Sequence, residues 1–168
     1  MTKPFVAVLM GSDSDLPTME ASFAVFKKFG IRFEAKVTSA HRTPKATHEY
    51  VKDADARGCA VFICAAGMAA HLAGAVAANT LRPVLGVPIN SSMDGLDALL
   101  STVQMPGGIP VGSLAIGKAG AKNAAYLAAQ ILGVTNADLH EKLIVEREQN
   151  ALEVIAKDAA LQEKLKEY

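Results

Sequence analysis

The sequence predicts an α/β fold: a flavodoxin-like three-layer sandwich with a parallel sheet of order 2-1-3-4-5 and a long C-terminal helix. Three observations predict it. Short, almost wholly apolar runs alternate with helical segments. Gly and Pro punctuate the alternation. The apolar runs lack a polar face, as expected of parallel strands covered by helices on both sides.

Phe5-Val-Ala-Val-Leu-Met10 is the first such run. Thr18 to Phe29 then reads as a helix, with Pro17 near its first turn and Gly30 just past its end. Ile31 to Val37 is a second strand, more alternating and so nearer an edge. Thr43 suits an N-cap and Pro44 the first position of a helix running to about Arg57, with Gly58 as its stop. Cys59 to Ala65 is a third, fully apolar strand, followed by a small-residue helix over His71 to Leu81. Val84 to Val87 is a short fourth strand ending at Pro88, and Gly95 to Val103 is helical. Gln104 to Pro110 is a loop by its Gly and Pro content. Val111 to Ile116 and Lys118 to Leu132 complete the fifth strand–helix unit. Parallel strands joined by helices need right-handed crossovers, which favours the stated order.

The segment from Asn136 to Tyr168 has no Gly or Pro and is rich in charge, with apolar Leu139, Leu143, Ala151, Ile155, Leu161 and Leu165. It reads as one helix of about 30 residues, roughly 45 Å long, longer than the core it leaves. Such an amphipathic helix is expected to lie on a neighbouring subunit. The whole of residues 1–168 is thus expected to form one domain, with a core at about 5–133 and an oligomerisation helix at about 136–168.

Composition narrows the function. Lys+Arg and Asp+Glu balance at 17 each, and there is no Trp. No basic field or aromatic platform for nucleic acid is present, and none for an anionic membrane surface. No run approaches the ~20 apolar residues of a membrane span, and the first apolar run is too short for a signal peptide. Cys59 and Cys64 lie in one strand; simple alternation puts them on opposite faces, where they cannot pair. Together these features point to a cytoplasmic protein.

In an open parallel sheet, ligands bind at the carboxyl ends of strands where the winding reverses. For this order the reversal lies between strands 1 and 3. Three loops meet there: Gly11-Ser-Asp-Ser-Asp15, Ser39-Ala-His-Arg-Thr-Pro44 and Ala65-Ala-Gly-Met-Ala-Ala-His71. The first offers hydroxyls and carboxylates at a helix mouth, suited to a phosphate and ribose, although Ser14 or Asp15 can equally cap the helix. It lacks the Gly-Lys-Ser/Thr of a nucleotide P-loop. Asp13 resembles a phosphatase nucleophile, but Leu16-Pro17 stands where Gly-Thr would follow. The second loop sets His41, a proton carrier near neutral pH, beside the fixed charge of Arg42. In the third, Gly67 and its alanines allow close backbone approach to a planar ligand. His71 there is either functional or structural, and His48 and His140 read as solvated surface residues.

These loops resemble the signature of the PurE family, N5-carboxyaminoimidazole ribonucleotide (N5-CAIR) mutase of the class I type. The resemblance extends through Pro83-Val-Leu-Gly-Val-Pro88, Val103-Gln-Met-Pro106 and Gly108-Ile-Pro-Val-Gly112 to Leu114-Ala-Ile-Gly-Lys-Ala-Gly120. It implies a cofactor-free, metal-free isomerase of purine biosynthesis that forms homo-octamers and moves a carboxyl group from nitrogen to carbon 4 of an imidazole ribonucleotide. It further implies that His41 carries the proton and that Ser12, Asp15 and Arg42 bind substrate. Ser14, Ser39 and Arg42 would contact the phosphate and Asp15 the ribose. Backbone near Gly67 and Ala70 would line the CO2 pocket, with His71 among the substrate-binding residues. A direct CO2-dependent carboxylase of aminoimidazole ribonucleotide (AIR) would have nearly the same site, and a non-catalytic phosphate-binding module is the remaining alternative. Two positions depart from the family: Met68 stands where a glycine is common and Ala73 where proline is common. A positive φ at position 68 would strain a methionine.

Overall fold

A computed structural model describes residues 4–168. Its five strands form one all-parallel sheet of order β2-β1-β3-β4-β5. The strands are β1 (Phe5–Met10), β2 (Phe33–Val37), β3 (Cys59–Gly67), β4 (Val84–Ile89) and β5 (Gly112–Ser113). The helices are α1 (Leu16–Phe29), α2 (Pro44–Ala56), α3 (Leu72–Ala77), α4 (Leu96–Val103), α5 (Lys118–Gly133) and α6 (Ala137–Leu165). Single 3-10 turns, Asp13–Asp15 and Met93–Gly95, lead into α1 and α4. The chain divides into two compact units, Met1–Ala129 and Gln130–Tyr168.

In the first unit, β1 is buried along its whole length. Alternation sends Phe5, Ala7 and Leu9 into a cluster with Val51 and Ala54 of α2 and Leu72, Ala73 and Val76 of α3. Val6 and Val8 face the other way and are equally inaccessible. Phe29 of α1 meets Tyr126 of α5 edge-on at 5.8 Å. A sheet buried on both faces needs no polar stripe, so the apolar runs of β1, β3 and β4 follow from their position.

Element ends differ from expectation for local reasons. β2 starts at Phe33, because Gly30 turns left-handed (φ 67°) and the Ile31 N–H closes α1 by bonding the Phe26 carbonyl. α3 stops at Ala77, short of Leu81, and Asn79 turns its side-chain amide back onto the Ala75 carbonyl at 2.7 Å. Gly95 (φ 81°) precedes α4 instead of opening it. Thr43 makes no side-chain cap to α2; its hydroxyl is engaged with Ser39.

β4 runs through Pro88 to Ile89, and β5 is reduced to two residues. One cause explains both. The Pro88 carbonyl accepts from Gly117 N–H on the β5 side. In a parallel ladder a residue's N–H and C=O point to the same neighbour, so the missing Pro88 N–H faces β5 and leaves the β3–β4 ladder intact.

The placement of the two cysteines is a correction. Pairing steps from Phe5↔Cys59 to Val6↔Val61, a bulge that shifts the alternation by one. Cys59 and Cys64 therefore join the same buried cluster with Phe62, both as free thiols. Burial raises both thiols, Cys59 to about 11.

The second unit holds the last turn of α5 and the 29-residue α6. The Asn136 side chain caps α6 by accepting from Leu139 N–H at 3.1 Å.

Candidate active site

Backbone bonds draw the first three strand ends together. Gly11 N–H donates to the Ala65 carbonyl at 2.9 Å and Thr38 N–H to the Met10 carbonyl at 2.9 Å. The loops after β1, β2 and β3 thereby open on one edge of the sheet.

The first loop is a reciprocal capping box around a 3-10 turn. Ser12 Oγ accepts from Ser14 N–H at 3.2 Å, while Ser12 N–H donates to Asp15 Oδ2 at 3.1 Å. Ser14 Oγ donates to Ser12 Oγ at 2.8 Å, and Ser12 Oγ to exposed Asp13 at 3.2 Å. Asp15 is only 6% exposed. Burial raises its carboxyl pKa, and backbone N–H bonds from Ser12 and Gly11 partly offset this. Of the two readings of Asp15 the structure shows the cap: its buried carboxylate closes the box with Ser12 N–H.

The second loop is organised by Ser39. Its Oγ accepts from the N–H groups of His41 (3.3 Å) and Arg42 (3.1 Å). Both bonds use the oxygen as acceptor, which leaves the hydroxyl proton free to donate to an anion. Thr43 Oγ1 accepts from Ser39 N–H at 2.9 Å, and buried Thr38 and Thr47 share a 2.7 Å hydroxyl bond beneath it. The loop is thus held from below while His41 and Arg42 stay exposed.

The third loop brings His71 onto His41. His41 Nε2 and His71 Nδ1 are 2.8 Å apart, with the rings near perpendicular at 87°. One nitrogen must donate and the other accept, so a single proton lies between the rings. His71 starts α3 without any side-chain cap bond. Its ring is therefore committed to His41.

Met68 adopts φ 55°, in the same loop and 62% exposed. A left-handed conformation costs a non-glycine residue roughly 1–2 kcal/mol. The other positive-φ non-glycine residues described, Met93 and Asp94, lie in the loop after β4. That loop borders the third: a Cβ on Gly67 would lie 2.5 Å from Ser91 Oγ. This fourth loop lies outside the strand-1/strand-3 reversal; its sequence signal is the serine pair Ser91-Ser92 after an apolar strand. Gly67 is needed here for close approach, and Ala70 is buried.

His48 is not a solvated residue: it is half-buried, with Nδ1 2.6 Å from Asn79 Oδ1. Among the described residues, no three His, Cys, Asp or Glu side chains gather into a metal-holding group. No described helix is long and apolar enough to cross a membrane.

Fold and site together define a flavodoxin-like α/β protein whose hydroxyl, carboxylate, imidazole and guanidinium groups are carried by the loops after β1, β2 and β3. The AIR carboxylase family model matches residues 5–153, and the chain belongs to that family. Among its relatives, an N5-carboxyaminoimidazole ribonucleotide mutase of Pseudomonas aeruginosa is 55% identical over 139 residues, covering 82% of this chain and 85% of the relative. A mutase of the same name from Bacillus subtilis is 49% identical over 154 residues, covering 91% and 95%. The crystal structure of Treponema denticola PurE superposes with a TM-score of 0.86 at 31% identity, covering 95% of this chain and 99% of that one.

Proposed function

We propose that the chain is an N5-CAIR mutase, an isomerase of purine biosynthesis that converts N5-CAIR to 4-carboxy-5-aminoimidazole ribonucleotide (CAIR). The observation that carries the mechanism is the His41–His71 hydrogen bond, formed by a loop in which Ser39 Oγ also accepts from the His41 and Arg42 N–H groups. The reaction breaks the N–carboxyl bond to give AIR and CO2, and the amine nitrogen gains a proton. Carbon 4 then attacks CO2 and loses its ring proton. Protons in and out balance, so one group that gives and then takes a proton suffices. An imidazole meets this need near neutral pH. His41 fills the role, and His71 sets its tautomer and aims its ring through the shared hydrogen bond.

The remaining groups divide the substrate. Arg42, Ser14 and Ser39 suit the phosphate, with fixed charge and hydroxyl donors. Ser12 and Asp15 suit the ribose and ring. Backbone around Gly67 and Ala70 forms the wall against which CO2 is held away from water. No cofactor or metal enters these steps. We further assign the enzyme to the cytoplasm, supported by its two buried free thiols. Self-association as a homo-octamer is supported by the exposed apolar side chains of α6, among them Leu152, Ile155 and Leu161.

Purified protein given N5-CAIR should yield CAIR without added CO2. The description of the family model favours a second reading, direct carboxylation. Turnover of AIR plus bicarbonate but not of N5-CAIR would establish that reading and overturn the mutase. His41→Asn should lower kcat by roughly 10²–10⁴-fold, the usual worth of a positioned acid–base group, with KM changed little. Near-normal turnover in that variant would remove His41 from the proton role.

A further inference from the structure

His48 and Asn79 form a polar tie between the two helices that carry the paired histidines. His41 lies in the loop leading into α2 and His71 immediately precedes α3. One turn into α2, His48 Nδ1 meets Asn79 Oδ1 at 2.6 Å, just past the end of α3. The Asn79 amide nitrogen donates to the Ala75 carbonyl at 2.7 Å, which fixes its oxygen toward His48. His48 Nδ1 is then the donor, and it carries a proton in both the imidazolium and the Nδ1–H neutral form. Between α2 and α3 themselves the contact is apolar, through Val51, Ala54, Ala73 and Val76, and lacks the directionality of a hydrogen bond. The next polar tie lies two turns further along α2, where Asp55 accepts from Thr80 and Arg82. α3 is only six residues long, with no side-chain cap and alanine at position 73. Its buried side chains Leu72, Ala73 and Val76 seat it on β3 and β4, and the polar tie links it to α2.

We propose that His48 and Asn79 are positioning residues that hold α2 and α3 in the one register at which His41 and His71 hydrogen-bond. The effect on turnover rests on the mutase reading; the effect on the histidine pair does not. Small displacements of a reacting group cost rate steeply. His48→Phe keeps the ring and removes the donor, and should lower kcat roughly tenfold with KM for N5-CAIR within about twofold. His48→Asn returns an amide N–H near the Nδ1 position and should restore most of the loss. Asn79→Leu removes the acceptor from the other side, and the double variant should be no worse than either single one. The protein has four histidines, so 15N-histidine NMR can follow the His41–His71 bond directly. In His48→Phe, loss of the pair's tautomer signature with the folded spectrum otherwise kept supports positioning. An intact His41–His71 signature, or equal losses in His48→Phe and His48→Asn, overturns it. If the wild type lacks mutase turnover the functional reading fails, while the NMR comparison still decides the positioning role.

Discussion

If Asp15 binds substrate as proposed, it places fold stability and ligand binding in opposition. Its carboxylate closes a capping box with Ser12, yet burial makes its charged form costly and raises its pKa. Below the ordinary aspartate range, near 3.8, both folded and unfolded chains hold the proton and the group is neutral toward stability. As pH rises, the unfolded chain releases its proton first, so stability falls through the window between the ordinary and the raised value. Above that window the full penalty remains. Asp15→Asn keeps an acceptor for Ser12 N–H and removes the charge. It should therefore melt higher than the wild type at neutral pH, and the gain should vanish in melts run below about pH 4. A gain independent of pH would refute the burial argument. The same variant should lose substrate affinity. Such trade-offs are usual where a site needs a charge the fold would not choose. At this scale the sequence singles out residues whose chemistry is distinctive, as at His41 and Arg42. It was silent where geometry decides. Whether His71 served its own helix or a neighbour depended on a contact 30 positions away in sequence, and His48 gave no local sign of Asn79.

The elements were legible in kind and order because each apolar run had to be a strand covered on both faces. Their ends were not, because ends are decided by single hydrogen bonds: Ile31 to Phe26, Asn79 to Ala75, Gly117 to Pro88. The cysteine faces were misread for a similar reason, since one bulge residue inverts an alternation that sequence presents as regular. Close approach between elements leaves a clearer trace in glycine. A Cβ on Gly86 in β4 would lie 2.3 Å from Thr102 Cγ2 of α4 and 3.2 Å from Val111 Cγ1. Thr102 cannot swing away freely, because it is buried and its hydroxyl donates to the Ala98 carbonyl at 2.7 Å. Gly86→Ala should therefore push α4 off the sheet at a cost of about 2 kcal/mol. Calorimetry should show this as a fall in Tm of roughly 4–8 °C. An unchanged Tm would mean that α4 sits more loosely on β4 than this contact implies.

At the scale of the molecule, the candidate site and the proposed assembly helix lie in different units. Every candidate site residue lies between Ser12 and His71, inside the first. The second contains a 29-residue helix on which Ile144, Val145, Leu152, Val154, Ile155, Leu161 and Leu165 are all exposed. Helices in water draw most of their stability from burying an apolar face, and propensity alone holds a long one only marginally. On the proposed self-association, a second copy of the chain would supply the missing apolar surface in a closed symmetric assembly, the usual outcome for such interfaces. A chain ending at Thr135 keeps the whole candidate site and loses α6. It should elute from a sizing column as smaller species than the full chain at the same concentration. The wild-type chain should also lose α6 helicity on dilution below its assembly range, because the helix and its partner surface form together. Identical elution of the full and shortened chains, after allowance for the 33 residues from Asn136 to Tyr168, would refute assembly through α6. Turnover in the shortened chain separates two consequences. Retained activity means the site is complete within one subunit's first unit; activity lost with the assembly means that a neighbouring copy completes it.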